Sequence, residues 1–311
     1  MDNLKQRGVV LLPEDFSADW IKMMQQSGLN TLKMHTLQRR NSLEAFMDSP
    51  AGKKLLEDAA AAGIDVEYEV HCFAECLSRD IFESRPEWFR MNNRGWRTPD
   101  KNFCISNQGA LDFLIKNAVK FAQKYKPTTS RYYLWGDDGG QWCHCPKCAG
   151  LSNEDQNITV MNSLAEALGK NDSQAKVAYL AYQNVAELPT IKPNERIFLE
   201  WAPIKRCYRH KINDPSCAVN RKFNAELLKL LKFFDPADTQ ILEYWLDASL
   251  FSGWKLPAAK IPVDTEIIRS DIEYYRSLGV YSIASFACFV DADYIKAHGE
   301  PPLNEYANAM K

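Results

Sequence analysis

The sequence predicts an α/β fold, a single (β/α)8 TIM barrel with a long loop after the third strand and a cysteine-rich loop after the fourth. Three observations predict it. Eight short strand-like apolar segments alternate with helix-like segments along the 311 residues. Such alternation builds parallel sheets with helical crossovers. The length alone would suit about two domains, but barrels of this kind often run to roughly 250 residues or more as one unit. The segment after the first strand, Pro13-Glu14-Asp15-Phe16-Ser17, has no glycine, whereas an open dinucleotide-binding sheet would usually carry a glycine-rich turn there. With no repeat and no low-complexity linker, residues 1–311 read as one domain.

Each element has its own warrant. Val9 to Leu12 is an apolar run of strand length. Ser17 suits the start of a helix holding Trp20, Ile21, Met23 and Met24, which Gly28 stops. Leu29 to Leu37 reads as the second strand. Leu55, Leu56, Ala59 and Ala62 recur at helical spacing up to Gly63. Ile64 to Phe73 is the third strand, followed by a long polar connection from Ala74 to Asn107 with Pro86, Trp88, Trp96 and Pro99. A helix runs from about Gly109 to Tyr125, and Arg131 to Trp135 is the fourth strand. After the cysteine loop come a helix at Ile158 to Leu168 and strands at Lys176 to Tyr182 and Arg196 to Trp201. An apolar helix at Phe223 to Phe234 precedes the seventh strand, Gln240 to Leu246. Asp264 to Leu278 is helical up to Gly279, Val280 to Phe289 is the eighth strand, and a closing helix starts near Leu303.

Composition narrows the function classes. A 46% hydrophobic and 25% charged chain lies in the globular range, which excludes disorder as the main reading. A net charge of -2 without a basic stripe argues against nucleic acid. No apolar stretch reaches membrane-spanning length. The first apolar run is too short for a secretory signal, so a cytoplasmic location is expected, although a trimmed signal leaves no trace. Nine cysteines cannot all pair internally, and reduced thiols are the default in a cytosol. The expected partner is a small-molecule or oligosaccharide substrate; the oligomeric state is not legible.

In a barrel, residues at the C-terminal ends of the strands converge on one mouth. Those ends carry acids, amides and aromatic rings, which suits a carbohydrate site. Trp135-Gly136-Asp137-Asp138-Gly139-Gly140 follows the fourth strand. Asp137 and Asp138 read either as a proton-donating pair or as a turn, because Asp-Asp-Gly-Gly is good turn chemistry. Glu243 lies inside Ile241-Leu242-Glu243-Tyr244-Trp245-Leu246, where a buried carboxylate needs a reason. It reads as nucleophile or charge stabiliser, or as half of an internal ion pair; Asp247 is the next candidate. His71, Trp135, Asn184, Glu200, Trp201, Arg206, His210, Tyr244 and Trp254 are candidate substrate contacts. Arg206 could clamp a substrate carboxylate or pair with the site's own acids. The expectation is that Asp138 and Glu243 share one crater.

The run Cys143-His144-Cys145-Pro146-Lys147-Cys148 has zinc-like spacing. Cys143, Cys145 and Cys148 could hold a structural zinc, with a fourth ligand from Cys104, Cys207, Cys217 or a histidine. A disulfide, a redox pair or free thiols remain as alternatives. Hydrolysis by carboxylates requires no cofactor.

Three groups of residues together resemble the bacterial domain-of-unknown-function 4838 family, placed among barrel glycoside hydrolases. They are the Asp138-Gly139-Gly140 turn leading into Cys143-x-Cys145-x-x-Cys148, the Arg206-Cys207-x-x-His210 stretch with Cys217, and Glu243-Tyr244 with Asp247. The resemblance spans residues 8 to 295 and implies a barrel with a role in glycan breakdown. A further resemblance, to substrate-assisted N-acetylhexosaminidases, implies that Asp137 orients a 2-acetamido group and Asp138 is the general acid; those enzymes carry Glu at the second position. The ordinary retaining scheme would instead pair Asp138 with Glu243 at about 5–5.5 Å. The function expected is a glycoside hydrolase, an O-glycosyl hydrolase acting on a soluble oligosaccharide; the alternative is a non-catalytic glycan-binding barrel with a structural metal loop.

Overall fold

The computed structural model describes residues 4–17, 19–36, 40–262 and 264–310. Eight strands form a closed barrel in chain order: β1 (Gln6–Leu11), β2 (Thr31–His35), β3 (Asp65–His71), β4 (Arg131–Trp135), β5 (Lys176–Ala181), β6 (Ile197–Trp201), β7 (Gln240–Glu243) and β8 (Ser282–Phe286). Pairing is parallel throughout, β1 with β2 and β8, β3 with β4, β4 with β5, β6 with β7, and β7 with β8. The predicted (β/α)8 barrel is therefore the fold. Leu37, expected to end the second strand, lies outside the described residues.

The helices are α1 (Asp19–Ser27), α2 (Arg40–Asp48), α3 (Pro50–Ala62), α4 (Phe73–Cys76), α5 (Gln108–Lys124), α6 (Asn153–Gly169), α7 (Ala218–Leu230), α8 (Ala248–Phe251), α9 (Thr265–Ser277), α10 (Ala292–His298) and α11 (Leu303–Ala309). No helix among the described residues is long and apolar enough to cross a membrane. Two compact units are distinguished within the chain, Met1–Glu67 with Leu199–Lys311, and Tyr68–Phe198.

Strand and helix boundaries follow local chemistry. Strands β2, β6 and β8 are buried at every residue, as parallel strands covered on both faces must be. Ser49 caps α3 through its hydroxyl, and Pro50 takes the first helical position, where its missing N–H costs nothing. Gly63 closes the helix in the left-handed conformation at φ 67°, as glycine does at a helix end. The predicted helix before Gly63 is thereby divided into α2 and α3. The seventh strand is shorter than predicted because Asp247 begins α8, its side chain accepting the N–H groups of Ser249 and Leu250.

The first unit buries charge at its centre. Lys33 on β2 lies 2.9 Å from Glu67 on β3 and 4.0 Å from Glu200 on β6, with no solvent exposure of these side chains. Gln6 of β1 donates to Glu67 at 2.7 Å. Four strands thus meet through one cation and its acceptors, which suits a barrel interior where an unpaired charge would be costly.

Asp15, also buried, accepts the Phe289 N–H at 2.7 Å. Burial pushes its carboxyl from 3.8 up to about 7; the Phe289 N–H opposes the shift, and the charges of Asp291, Glu14 and Asp247 add to it. A carboxyl raised on folding binds its proton more tightly in the folded state. Its contribution is therefore fully present below the unfolded value and is lost as pH rises through the folded one. Asp15→Asn keeps an oxygen for the Phe289 N–H and removes the charge. The variant is expected to gain roughly 1–3 kcal/mol over the parent at pH 8 and almost nothing at pH 4. Urea melts at the two pH values check this, and an equal effect at both would refute it.

Candidate functional site

The second unit contains a cleft built around the end of β4. Its empty space is about 390 Å³, part of it open to solvent, and its lining includes His71, Asn102, Trp135, Asp137, Trp142, Tyr182 and Asn184. The turn that follows β4 shapes one wall. Gly140 N–H donates to the Asp137 carbonyl at 2.7 Å, and Gly139 sits at φ 58°, a conformation glycine adopts without penalty. A Cβ on Gly140 would lie 2.7 Å from the Asn102 amide nitrogen, so the close approach also requires glycine there.

The two adjacent acids have different environments. Asp137 accepts the Ala74 N–H at 2.9 Å on one oxygen, and the Asn102 N–H and the Arg79 guanidinium on the other. Asn102 returns the bond, its side-chain oxygen accepting the Asp137 N–H at 2.9 Å. Its amide group also donates to the Gln141 carbonyl at 3.1 Å. Asp137 therefore fastens the long loop after β3 to the end of β4. Asp138 is exposed. Its side chain accepts from Gln183 at 3.4 Å, and its carbonyl accepts from Lys101 at 3.0 Å.

His71, at the end of β3, donates from Nδ1 to the Gly136 carbonyl at 2.6 Å. Burial pulls its pKa below the usual 6.5, against the opposing pull of the Asp138 charge. The neutral ring that results, with Nδ1 protonated, presents Nε2 as its basic nitrogen. The ring packs at 5.0 Å on Trp135 and 6.5 Å on Tyr182. Asn184 donates to the Gly140 carbonyl at 3.0 Å, tying the β5 end to the same turn. Amide groups, an imidazole and aromatic rings around one cleft can bond hydroxyls and stack on an apolar ring face.

Beside the cleft the structure brings four sulfurs together. Cys104, Cys143, Cys145 and Cys148 are buried, with their Sγ atoms all within 4.8 Å of one another. Tetrahedral zinc at about 2.3 Å from each sulfur would separate them by about 3.8 Å, so the donor set fits that ion. Cys143 Sγ accepts the Met91 N–H at 3.3 Å and the Cys145 N–H at 3.5 Å, bonds that favour thiolate ligands. Gln156 on α6 fixes the loop from the other side. It accepts the Cys143 N–H and donates to the Cys143 carbonyl, both at 3.1 Å.

The remaining expected residues lie elsewhere. Glu243, the expected nucleophile, is fully buried. It accepts from Arg206 at 2.6 Å and from the Tyr275 hydroxyl at 2.5 Å. That corrects the expected crater: the Glu243 carboxylate has no solvent around it. Arg206, expected as a substrate clamp, is committed to Glu243 and, at 2.7 Å, to Asp271. Asp247 is buried as the cap of α8, and burial pushes its carboxyl up to about 6. Glu200 belongs to the Lys33 cluster. Trp201 is buried and donates to Glu226 at 2.7 Å. Tyr244 is buried and stacked on Phe286 at 5.0 Å. His210 is exposed beside Cys207, and Trp254 is exposed on a loop. Of the four carboxylates expected to be catalytic, Asp138 alone is exposed.

Sequence reasoning missed Arg79, Asn102, Ser106 and Gln156. They lie in polar stretches without periodicity, and only the fold brings them to the β4 end. Ser106 sits among the sulfurs, 3.3 Å from Cys104 and from Cys148.

The profile of a family described as a domain of unknown function (DUF4838) matches residues 23–290. No curated protein matches the chain in sequence. Solved structures share its fold at low identity. A cold-adapted β-galactosidase from Rahnella sp. R3 superposes with a TM-score of 0.61 at 14% identity, covering 100% of this chain and 56% of that one. An endo-β-1,4-glucanase from Xanthomonas axonopodis pv. citri gives 0.54 at 12% identity, covering 98% of both chains. A glycoside hydrolase family 5 enzyme from Prevotella bryantii B14, in complex with a xyloglucan tetradecasaccharide, gives 0.53 at 15% identity, covering 96% of this chain and 87% of the other.

If Asp137 anchors and Asp138 does not, their amide variants differ in stability. Asp137→Asn is expected to lose roughly 2–4 kcal/mol, because Arg79 and a buried N–H lose their acceptor. Asp138→Asn is expected to change stability by less than about 0.5 kcal/mol. Denaturant unfolding of both variants checks the contrast, and equal losses would contradict it.

Proposed function

The chain belongs to the DUF4838 family, and we propose that it is a glycoside hydrolase acting on a soluble oligosaccharide, with Asp138 as its acid/base residue. The observation that carries this reading is the division of labour at the β4 end: Asp137 is consumed in fastening the loop, while Asp138 stays exposed beside an aromatic- and amide-lined cleft. The solved structures of similar fold include an endo-β-1,4-glucanase and a β-galactosidase, which supports the same substrate class.

The finer reading is a substrate-assisted mechanism on a 2-acetamido sugar. In that mechanism the substrate's own acetamido oxygen attacks the anomeric carbon, so one free carboxylate is enough. Asp138 would protonate the departing glycosidic oxygen and later take a proton from water. The sequestration of Glu243 by Arg206 and Tyr275 favours this route over a retaining scheme with an enzyme nucleophile. His71, neutral through burial, would stand beside the sugar, and Trp135 and Tyr182 would flank the ring.

Aryl N-acetylglucosaminide, glucuronide and galactoside substrates form the test panel. Turnover is expected on the 2-acetamido member, and Asp138→Asn is expected to lower kcat by about 10²–10⁴ while substrate binding persists. Full activity in Asp138→Asn would overturn the assignment. Loss of turnover alongside cleavage of only 2-hydroxy sugars would keep the hydrolase and remove the substrate-assisted route. Binding without turnover on any substrate supports the alternative of a glycan-binding barrel.

We also propose that Cys104, Cys143, Cys145 and Cys148 hold a structural zinc ion, which would link the loop after β3 to the loop after β4. Cys104→Ser is expected to remove this ion and lower Tm by several degrees, with metal content and melting measured on one preparation. Unchanged zinc content in Cys104→Ser would sink the assignment.

A further inference from the structure

The first unit contains a second group of ligand side chains. Cys207, His210 and Cys217 place their sulfur and nitrogen atoms within 4.8 Å of one another. Cys207 Sγ lies 3.2 Å from His210 Nδ1. A zinc ion bound tetrahedrally to one thiolate and one imidazole would hold these atoms about 3.6 Å apart. We propose that Cys207, His210 and Cys217 form a second zinc site, with three protein ligands and a fourth position left to solvent or a small donor.

The loop carrying these residues is built from buried polar groups, which argues for a formed site over a chance meeting of side chains. Asn220, fully buried on α7, accepts the Cys207 N–H at 2.7 Å and donates to the carbonyls of Cys207, His210 and Lys211 at 2.9–3.0 Å. One amide side chain therefore fixes the backbone on both sides of Cys207 and just after His210. Asp271, also fully buried, accepts the Ile212 N–H at 2.7 Å and holds the middle of the loop to α9. Arg206 donates to the His210 carbonyl at 2.9 Å. At the far end Asp214 makes a turn, accepting the Ser216 N–H at 2.8 Å and the Ser216 hydroxyl at 2.7 Å. That turn delivers Cys217 to the cap position of α7, where its side chain makes no capping bond. The amide dipoles at a helix start favour negative charge, and a ligating thiolate supplies it.

The burial gradient supports an open coordination position. Cys217 is buried, Cys207 is half-buried and His210 is exposed. A closed structural site would carry a fourth protein ligand, as the cluster around Cys104 does; a three-ligand site keeps room for an exchangeable molecule. The two sites use separate residues, so each can be emptied without touching the other's ligands.

The test is zinc stoichiometry on the full chain, reduced, loaded with zinc chloride and desalted. The parent is expected to hold two ions per chain. Cys207→Ser and His210→Gln are each expected to hold one, and Cys207→Ser combined with Cys104→Ser none. Zinc content unchanged by Cys207→Ser overturns the proposal. A second readout needs no variant: alkylation of the parent's thiols followed by mass spectrometry. Bound zinc is expected to protect Cys207 and Cys217, and a chelator is expected to restore their labelling. Labelling indifferent to zinc, or a Cys207–Cys217 disulfide in zinc-loaded protein, also overturns it.

Discussion

A charge removed from water must find a partner, and this constraint organises much of the molecule. Lys33 is matched by Glu67 and Glu200, and Arg206 by Glu243 and Asp271. These pairs stand on or beside strands that are otherwise largely buried. Each ties elements that are distant in sequence, and removing one partner would strand the other at a cost of about 3–5 kcal/mol. The same constraint allocates the acids. A carboxylate engaged by a guanidinium and two N–H groups, as Asp137 is, is poorly placed to exchange protons with a ligand; Asp138, one residue on, is exposed to water.

Much of the barrel was legible because its physical causes are local. The fourth strand was placed at Arg131 to Trp135 and is found there, since a run of β-favouring aromatic residues ends at a glycine. The start of α6 was placed five residues late. Its first turns carry Glu154, Asp155, Gln156 and Asn157, which look like solvent-facing polar residues. All four are buried: Glu154 accepts the N–H groups of Ala186 and Glu187, Asp155 those of Thr190 and Ile191, and Gln156 bonds the Cys143 backbone. Periodicity cannot reveal a polar face whose partners are loops. The short helices α4 and α8 escaped notice for a related reason: each is a single turn set by its neighbours.

The site was legible only in part. Asp137, His71, Trp135 and Asn184 were named from strand-end positions, and all four line one cleft. Their roles could not be read the same way. Whether an acid anchors a loop or meets solvent depends on Arg79 and Asn102, which lie 58 and 35 residues earlier in the chain. Glu243 shows the converse. Its apolar surroundings signalled a buried carboxylate, and the structure supplies the ion pair that was one of its two readings.

The crowding of sulfur beside the cleft carries a chemical hazard. Cys104 and Cys145 stand 3.6 Å apart, and a covalent S–S bond is about 2.05 Å long. A displacement of about 1.5 Å, with two electrons and two protons passed to dissolved oxygen, would therefore join two loops that are separated by 41 residues of chain. Any period in which these thiolates stand bare in air exposes the protein to that cross-link, so oxygen history during purification becomes a variable to control in assays of this molecule.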